Sequence, residues 1–210
     1  MDQSLKDEYF KRYSEIKSFV IRAFYDIFIL EAFESYNTEI SSGKIVFKRP
    51  SFLVLSHLCQ AVMEDLNLSI CKIYTDQDSK ANTISHLNQF MHNKSDKESI
   101  ELPCVKLHLA KELEAAIGDM KKMRNQFIAH LDNDHLHFLI PIKDITKVLY
   151  ALRDMLNGLC IKEIDARVEP LDDDTLSSMQ NDIVTGTELM LNGASWPIYP
   201  ETSSIQTNAQ

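Results

Sequence analysis

Apolar residues recur at intervals of three and four along most of the chain, which is the period of an amphipathic α-helix. The first such segment covers about residues 4–36, and its apolar positions are Ile16, Phe19, Val20, Ala23, Phe24, Ile27, Leu30 and Phe33. A second segment, about 51–74, follows Pro50, which suits the first turn of a helix because no backbone N–H is needed there. Both segments are predicted to be helices with wide apolar faces.

The rest of the chain continues this pattern. We expect four more helices: a short one capped by Asn82 and Thr83, a long one that ends near His130, one capped by Asp144, and a last one. Their approximate ranges are 82–92, 105–130, 144–164 and 175–191. The sequence HLHFLIPI, residues 135–142, is compatible with a short extended piece, and the polar tail from Gly193 is expected to be loose.

Low glycine and proline content agrees with a helical chain. Only five glycines and six prolines occur in 210 residues, which is well below average usage of roughly 7% and 5%. The scattered glycines exclude a Gly-rich phosphate-binding loop, and an all-β fold would need many more turn residues. We therefore predict an all-α fold of five to six helices in the whole chain. It is expected to divide into a helical bundle over residues 1–165 and an acidic C-terminal helix with a loose tail over residues 166–210.

The charge and the cysteine pattern narrow the class of protein. The 22 basic and 31 acidic residues leave a net charge of −9, which disfavours general binding to DNA and requires any RNA site to be locally basic. No pair of the four cysteines forms C-x-x-C, the N-terminus has no apolar signal region, and no apolar run is long enough to cross a bilayer. We expect a cytoplasmic protein with reduced cysteines and no membrane partner.

The candidate chemistry lies near the end of the fourth predicted helix. Lys121, Lys122 and Arg124 form the strongest local basic cluster, and His130 closes the helix. The planar guanidinium of arginine suits phosphate oxygens, and histidine accepts and returns a proton near neutral pH. This combination is compatible with metal-free phosphoryl chemistry, in which imidazole moves the proton of a ribose 2′-OH and guanidinium stabilises the charge on phosphorus.

The spacing of Arg124 and His130 favours a dimer. Six residues of helix place the two side chains about 120° apart around the axis and about 9 Å apart along it. One helix therefore makes a poor closed site, whereas two copies related by a two-fold axis would supply a second Arg–His pair.

These residues resemble the HEPN superfamily. Arg124 is followed by Asn125 and, after five intervening residues in all, by His130; the segment KMRNQFIAHLD resembles the abortive-infection AbiU branch. A weaker likeness lies in residues 66–76, which end in Asp76, and in the serine-containing stretch 83–87.

The resemblance implies a dimeric ribonuclease that uses neither a metal nor another cofactor. Arg124 and His130 would be catalytic with Asn125 orienting them, and Lys121 and Lys122 would contact RNA phosphates. It also implies a toxin–antitoxin or phage-defence role, with a nucleotidyltransferase-like antitoxin as a possible partner.

Two plainer interpretations remain beside this one. Arg124 can be an ordinary surface arginine, and His130 can stabilise the negative end of the helix dipole. The protein is then a non-catalytic helical dimer whose acidic C-terminal helix binds a partner.

The stretch HLDNDHLH resembles a metal site, but it lacks a pair of histidines four residues apart, so no metal site is expected.

Overall fold

The computed structural model shows a helical bundle and describes residues 3–41, 45–47, 49–75, 81–98, 109–129 and 140–197. The helices in this part of the chain are α1 (Gln3–Ser41), α2 (Arg49–Ile70), α3 (Ile84–Glu98), α4 (Lys111–Ala129), α5 (Ile142–Gly158) and α6 (Asp173–Ala194). A π-helical turn, Cys71–Thr75, continues α2. The prediction of an all-α bundle with up to six helices is confirmed.

A small antiparallel ribbon accompanies the helices. Strand β1 (Ile45–Phe47) follows α1 and pairs with β2 (Ser195–Pro197), which follows α6, so that Val46 lies opposite Trp196. The ribbon therefore joins the end of α6 to the connection between α1 and α2. Part of the segment predicted as a loose tail is thus a strand, while residues 198–210 lie outside the described residues.

Helix α1 is the central element of the core, and α2, α5 and α6 all pack against it. Its inward face follows the predicted spacing and is fully buried at Tyr9, Tyr13, Ile16, Val20, Ala23, Phe24 and Ile27. Burying one large apolar side chain contributes roughly 1.5–3 kcal/mol, so this face is a main source of stability. Leu176 of α6 belongs to the same buried cluster. The division of the chain at residue 165 stays a prediction.

Helix α5 ends at Gly158, and the prediction that it continues to residue 164 is wrong. The Tyr9 hydroxyl donates a hydrogen bond to the Leu159 carbonyl (2.7 Å) and accepts one from the Ile161 N–H (2.9 Å). Because α1 supplies these partners, the backbone after Gly158 no longer needs helical hydrogen bonds. The apolar periodicity persists to Ile164 because Leu159, Ile161 and Ile164 remain buried in a non-helical segment.

Side chains continue to hold the segment between α5 and α6. The Tyr13 hydroxyl donates to the Glu169 carbonyl at 2.9 Å. The Asn157 amide donates to the Leu171 carbonyl (3.0 Å) and accepts from the Leu171 N–H (2.8 Å). The connection is therefore fixed at both ends by α1 and α5.

Two predicted helix caps have different outcomes. Thr83 caps α3 as expected, because its hydroxyl accepts a hydrogen bond from the His86 N–H at 3.1 Å. Asp144 does not cap α5: Pro141 occupies the cap position, and the Asp144 carboxylate accepts a hydrogen bond from Lys147 instead. Within the described residues, no helix is long and apolar enough to cross a membrane.

Candidate functional site

Helix α4 carries the first half of the predicted motif on its inward face. Ile117 and Met120 are buried, and Arg124 follows them by seven and four residues. Residues at this spacing share one side of a helix, so Arg124 extends the core-facing stripe of α4 toward its C-terminal end. The Arg124 side chain is half-buried there.

Asn125 is the hydrogen-bond partner that the structure gives to Arg124. The guanidinium donates from Nε and from Nη2 to the Asn125 Oδ1, at 3.3 and 3.2 Å. An amide oxygen orients the guanidinium without neutralising its charge. Asn125 is itself exposed, so the pair lies at the edge of the bundle.

Within the described residues, Arg124 has no acidic partner, unlike four other arginines of the chain. Arg12, Arg22, Arg153 and Arg167 each form an ion pair with at least one carboxylate. In the part of the chain that the structure describes, no carboxylate lies within ion-pair distance of Arg124. An arginine that is not paired with a carboxylate can bind an anion such as a phosphate.

The two lysines of the predicted cluster lie on different sides of α4. Lys121 is half-buried and lies about 60° around the helix from Arg124, so both can face one ligand. Lys122 lies about 160° from Arg124 and forms an ion pair with Asp119 at 2.7 Å. Only Lys121 is thus placed beside the arginine.

His130 comes directly after the last residue of α4 and lies outside the described residues. The histidine- and aspartate-containing stretch HLDNDHLH is outside them as well. Among the residues described, no group of three or more histidine, cysteine or acidic side chains is arranged to hold a metal ion.

The position of α4 follows from its first turn. Tyr74 lies beside Leu109 and Glu114; burial raises the pKa of the Tyr74 hydroxyl, and the charge of Glu114 adds to the effect. Helix α4 then packs against α2. Helix α4 therefore starts beside the turn that ends α2.

A carboxyl pair between α1 and α2 is a feature that the sequence analysis missed. Asp26 is only 8% exposed, and its Oδ2 has no hydrogen-bond partner among the described residues. Burial, followed by the charge of Asp65, raises the pKa of Asp26 to about 7. Asp65 is held by Arg22 through bonds of 2.5 and 2.8 Å. The available signal was an aspartate within the apolar run 19–30 of α1.

A comparison with known families supports the resemblance seen in the sequence. The family model HEPN_AbiU2, described as AbiU2, matches residues 12–177. This match covers most of the chain, so the chain belongs to the HEPN_AbiU2 family. Neither a curated protein nor a solved structure matches it significantly.

Proposed function

We propose that this member of the AbiU2 family is a metal-independent endoribonuclease that acts as a homodimer. Its proposed place is the cytoplasm, and its proposed role is in toxin–antitoxin or phage-defence systems. The observation that carries the proposal is the position of Arg124. An arginine with no acidic partner among the described residues extends the inward face of α4 within the family motif.

The proposed reaction is a transesterification within RNA. His130 removes the proton of the 2′-OH, and the resulting oxygen attacks the adjacent phosphorus while the bond from phosphorus to the 5′-oxygen breaks. An imidazolium returns a proton to that leaving oxygen. The products are a 2′,3′-cyclic phosphate and a 5′-hydroxyl, and no electrons are transferred.

The other motif residues hold and neutralise the phosphate. Arg124 stabilises the negative charge that builds on the non-bridging oxygens, and Asn125 keeps its guanidinium in position. Lys121 binds a neighbouring phosphate. Lys122 is proposed to contribute at the outer rim, where RNA must compete with Asp119 for its charge.

The dimer supplies what one motif lacks. The helical spacing predicted from the sequence would separate Arg124 and His130 by about 120°, so a two-fold partner would place its own Arg–His pair across the substrate. The net charge of −9 makes this locally basic cleft necessary for binding RNA. An antitoxin of the nucleotidyltransferase type would keep the activity in check by covering the cleft.

Incubation with total RNA in EDTA tests the reaction. Wild-type protein is expected to cleave in the presence of the chelator, whereas His130→Ala should be slower by about 10²–10⁴-fold because the proton carrier is lost. Lys111→Ala, which removes an exposed lysine about 140° around α4 from Arg124, is the matched control, and it should retain most of the activity. Products with ends other than a cyclic phosphate and a 5′-hydroxyl would contradict the mechanism.

Expression in cells tests the biological role. Overexpressed wild-type protein should stop growth, and Arg124→Ala should relieve this toxicity at equal protein levels. Equal toxicity of both proteins would show that the motif is not its cause.

A second candidate function is a non-catalytic interaction module, favoured by the surface of α6. Leu189 is 69% exposed and lies beside the exposed Met190, and no basic residue follows Arg167 in the chain. Such a surface fits a partner with a basic, amphipathic helix. A stable complex lost in Leu189→Asp but kept in Ser178→Asp, with no RNA cleavage by the wild type, would favour this function.

A further inference from the structure

The N-terminal half of α2 is unusually exposed for an apolar helix. From Val54 to Asp65 no side chain is fully buried, although most of these positions are apolar, whereas burial is extensive from Leu66 onward. Val54 is 67% exposed, and Leu58 and Leu68 are also exposed. The exposed apolar side chains of this half of α2 form a surface that a binding partner can cover.

The exposed apolar positions of this helix and the half-buried Asp65 form one narrow line, which we call the α2 stripe. Its members are Val54, Leu58, Ala61, Asp65 and Leu68. The steps of four, three, four and three residues keep all of them within an arc of about 80°. This spacing is that of a helix–helix seam, and the stripe is about 21 Å long. Its single acidic member is already paired with Arg22 of α1.

We propose that the α2 stripe binds a second copy of this chain, with the two α2 helices antiparallel and the two-fold axis at Ala61. A two-fold interface requires a surface that is complementary to itself. The stripe meets this requirement, because Val54 lies seven residues before Ala61 and Leu68 lies seven residues after it. Each apolar end therefore meets the opposite end of the other copy, while the small Ala61 at the axis allows the helices to approach closely.

Polar side chains at the edge of the stripe support the antiparallel arrangement. His57 and Glu64 lie on the same edge, about 20° apart around the helix. With the axis at Ala61, His57 comes level with the partner's Glu64 to within about 1.5 Å along the helix. The symmetry forms this pair twice. A parallel arrangement would instead place the two copies of His57 on opposite edges of the interface, away from the partner's Glu64.

Helix α1 enlarges the surface beside the stripe. The Arg22–Asp65 pair fixes α1 next to α2 at this level. Tyr25 follows Arg22 by three residues, so it shares that side of α1, and it is 44% exposed. Tyrosine is favoured in protein interfaces because it adds a large contact area with little loss of conformational freedom. Two α1–α2 pairs would then meet as four helices.

The proposal rests on residues of α1 and α2 alone and adds a surface to the dimer of the proposed function. Light scattering coupled to size exclusion tests it, with Ala61→Glu as the main variant and Ser56→Glu as the matched control. Ala61→Glu places two carboxylates at the axis, so the dimer dissociation constant should rise at least 100-fold. Ser56 is exposed on the opposite side of α2, so Ser56→Glu should remain dimeric.

Two further variants protect the test against misfolding of Ala61→Glu. His57→Glu should weaken the dimer by facing the partner's Glu64, and adding Glu64→Lys should restore it. In a Cys59→Ser background, Ala61→Cys should form a disulfide between copies on mild oxidation, and Ser56→Cys should not.

The outcomes separate this proposal from the nuclease. A monomeric wild-type protein, or a dimer that neither dissociates in Ala61→Glu nor cross-links through Ala61→Cys, overturns the α2 interface. A dimer that depends on Ala61 but never cleaves RNA supports the interface and overturns the nuclease.

Discussion

Arg124 and Arg167 show two uses of the same side chain. Arg167 binds the carboxylates of Asp165 and Asp7 and stacks on the Phe10 ring, 4.5 Å from its centre, so that it ties the segment after α5 to α1. Among the described residues, the Arg124 side chain donates its hydrogen bonds to the neutral oxygen of Asn125. A charge that is fully paired within the fold stabilises the structure, whereas one that is positioned but not neutralised can bind a ligand.

The strongest test of this comparison replaces each arginine by alanine and measures both RNA cleavage and stability. Arg124→Ala is expected to lower RNA cleavage by about 10²–10³-fold, as loss of a group that stabilises transition-state charge does, and to leave the urea midpoint nearly unchanged. Arg167→Ala should lower the urea midpoint, because Asp165 is buried and loses its partner, while the folded fraction keeps its activity. A large loss of stability in Arg124→Ala would instead make Arg124 a structural residue.

Removal of the Tyr9 hydroxyl should destabilise the protein more than any other change of a single atom. Tyr9→Phe removes the hydroxyl that serves both the Leu159 carbonyl and the Ile161 N–H. Two buried backbone groups are then left without partners, so the free energy of unfolding should fall by about 2–3 kcal/mol. Urea denaturation measures this change. An effect as small as that of a surface substitution would show that water replaces the hydroxyl.

The buried carboxyl of Asp26 is a third case, in which the fold leaves a charge poorly compensated. The pKa of Asp26 is raised from 3.8 to about 7, so the folded protein keeps this proton over a pH range in which the unfolded chain has released it. Stability from this group is therefore complete below about pH 4 and is lost as the pH rises through about 7.

Asp26→Asn should remove that pH dependence. The variant keeps a similar shape without the titrating charge, and it should be more stable than the wild type by about 1–2 kcal/mol at pH 8. Denaturation from pH 5 to pH 8 checks the result, and Asp119→Asn, which changes an exposed ion pair, is the control. A parallel pH dependence in the wild type and Asp26→Asn would contradict the assignment to Asp26.

The smallest effect is expected at Lys122. Its ion pair with Asp119 is exposed, and such pairs contribute little because solvent screens them. Lys122→Ala should change the free energy of unfolding by no more than about 0.5 kcal/mol and should affect RNA cleavage less than Lys121→Ala does. If Lys122→Ala has the larger effect on cleavage, RNA must approach α4 from the side opposite to Arg124.

Local pattern was a good guide to some parts of this protein and a poor one to others. The spacing of apolar residues in α1 identified its buried face, since that signal depends on the helix itself. The end of α5 was misplaced because the hydrogen bonds that stop it come from Tyr9, about 150 residues away in sequence. Asp144 failed as a cap for a nearer reason, because Pro141 occupies the cap position.

For the candidate site, too, the sequence supplied some features and the packing supplied others. The sequence identified Arg124, Asn125, Lys121, Lys122 and His130 through the family motif, and the family is confirmed by the match over residues 12–177. Their catalytic and binding roles stay predictions. The packing of α4 added the inward position of Arg124 and the outward position of Lys122, because the side that a helix buries is decided by its neighbours.

By itself the sequence determined the helical class, the buried face of α1 and the family motif, because each is encoded in the spacing of residues close together in the chain. The tertiary structure decided where α5 stops, that Arg124 has no acidic partner among the described residues, that Asp26 meets Asp65, and that the α2 stripe is exposed. These features depend on contacts between residues far apart in sequence. Periodicity shows that a helix has an apolar face, but only packing shows whether the chain covers that face.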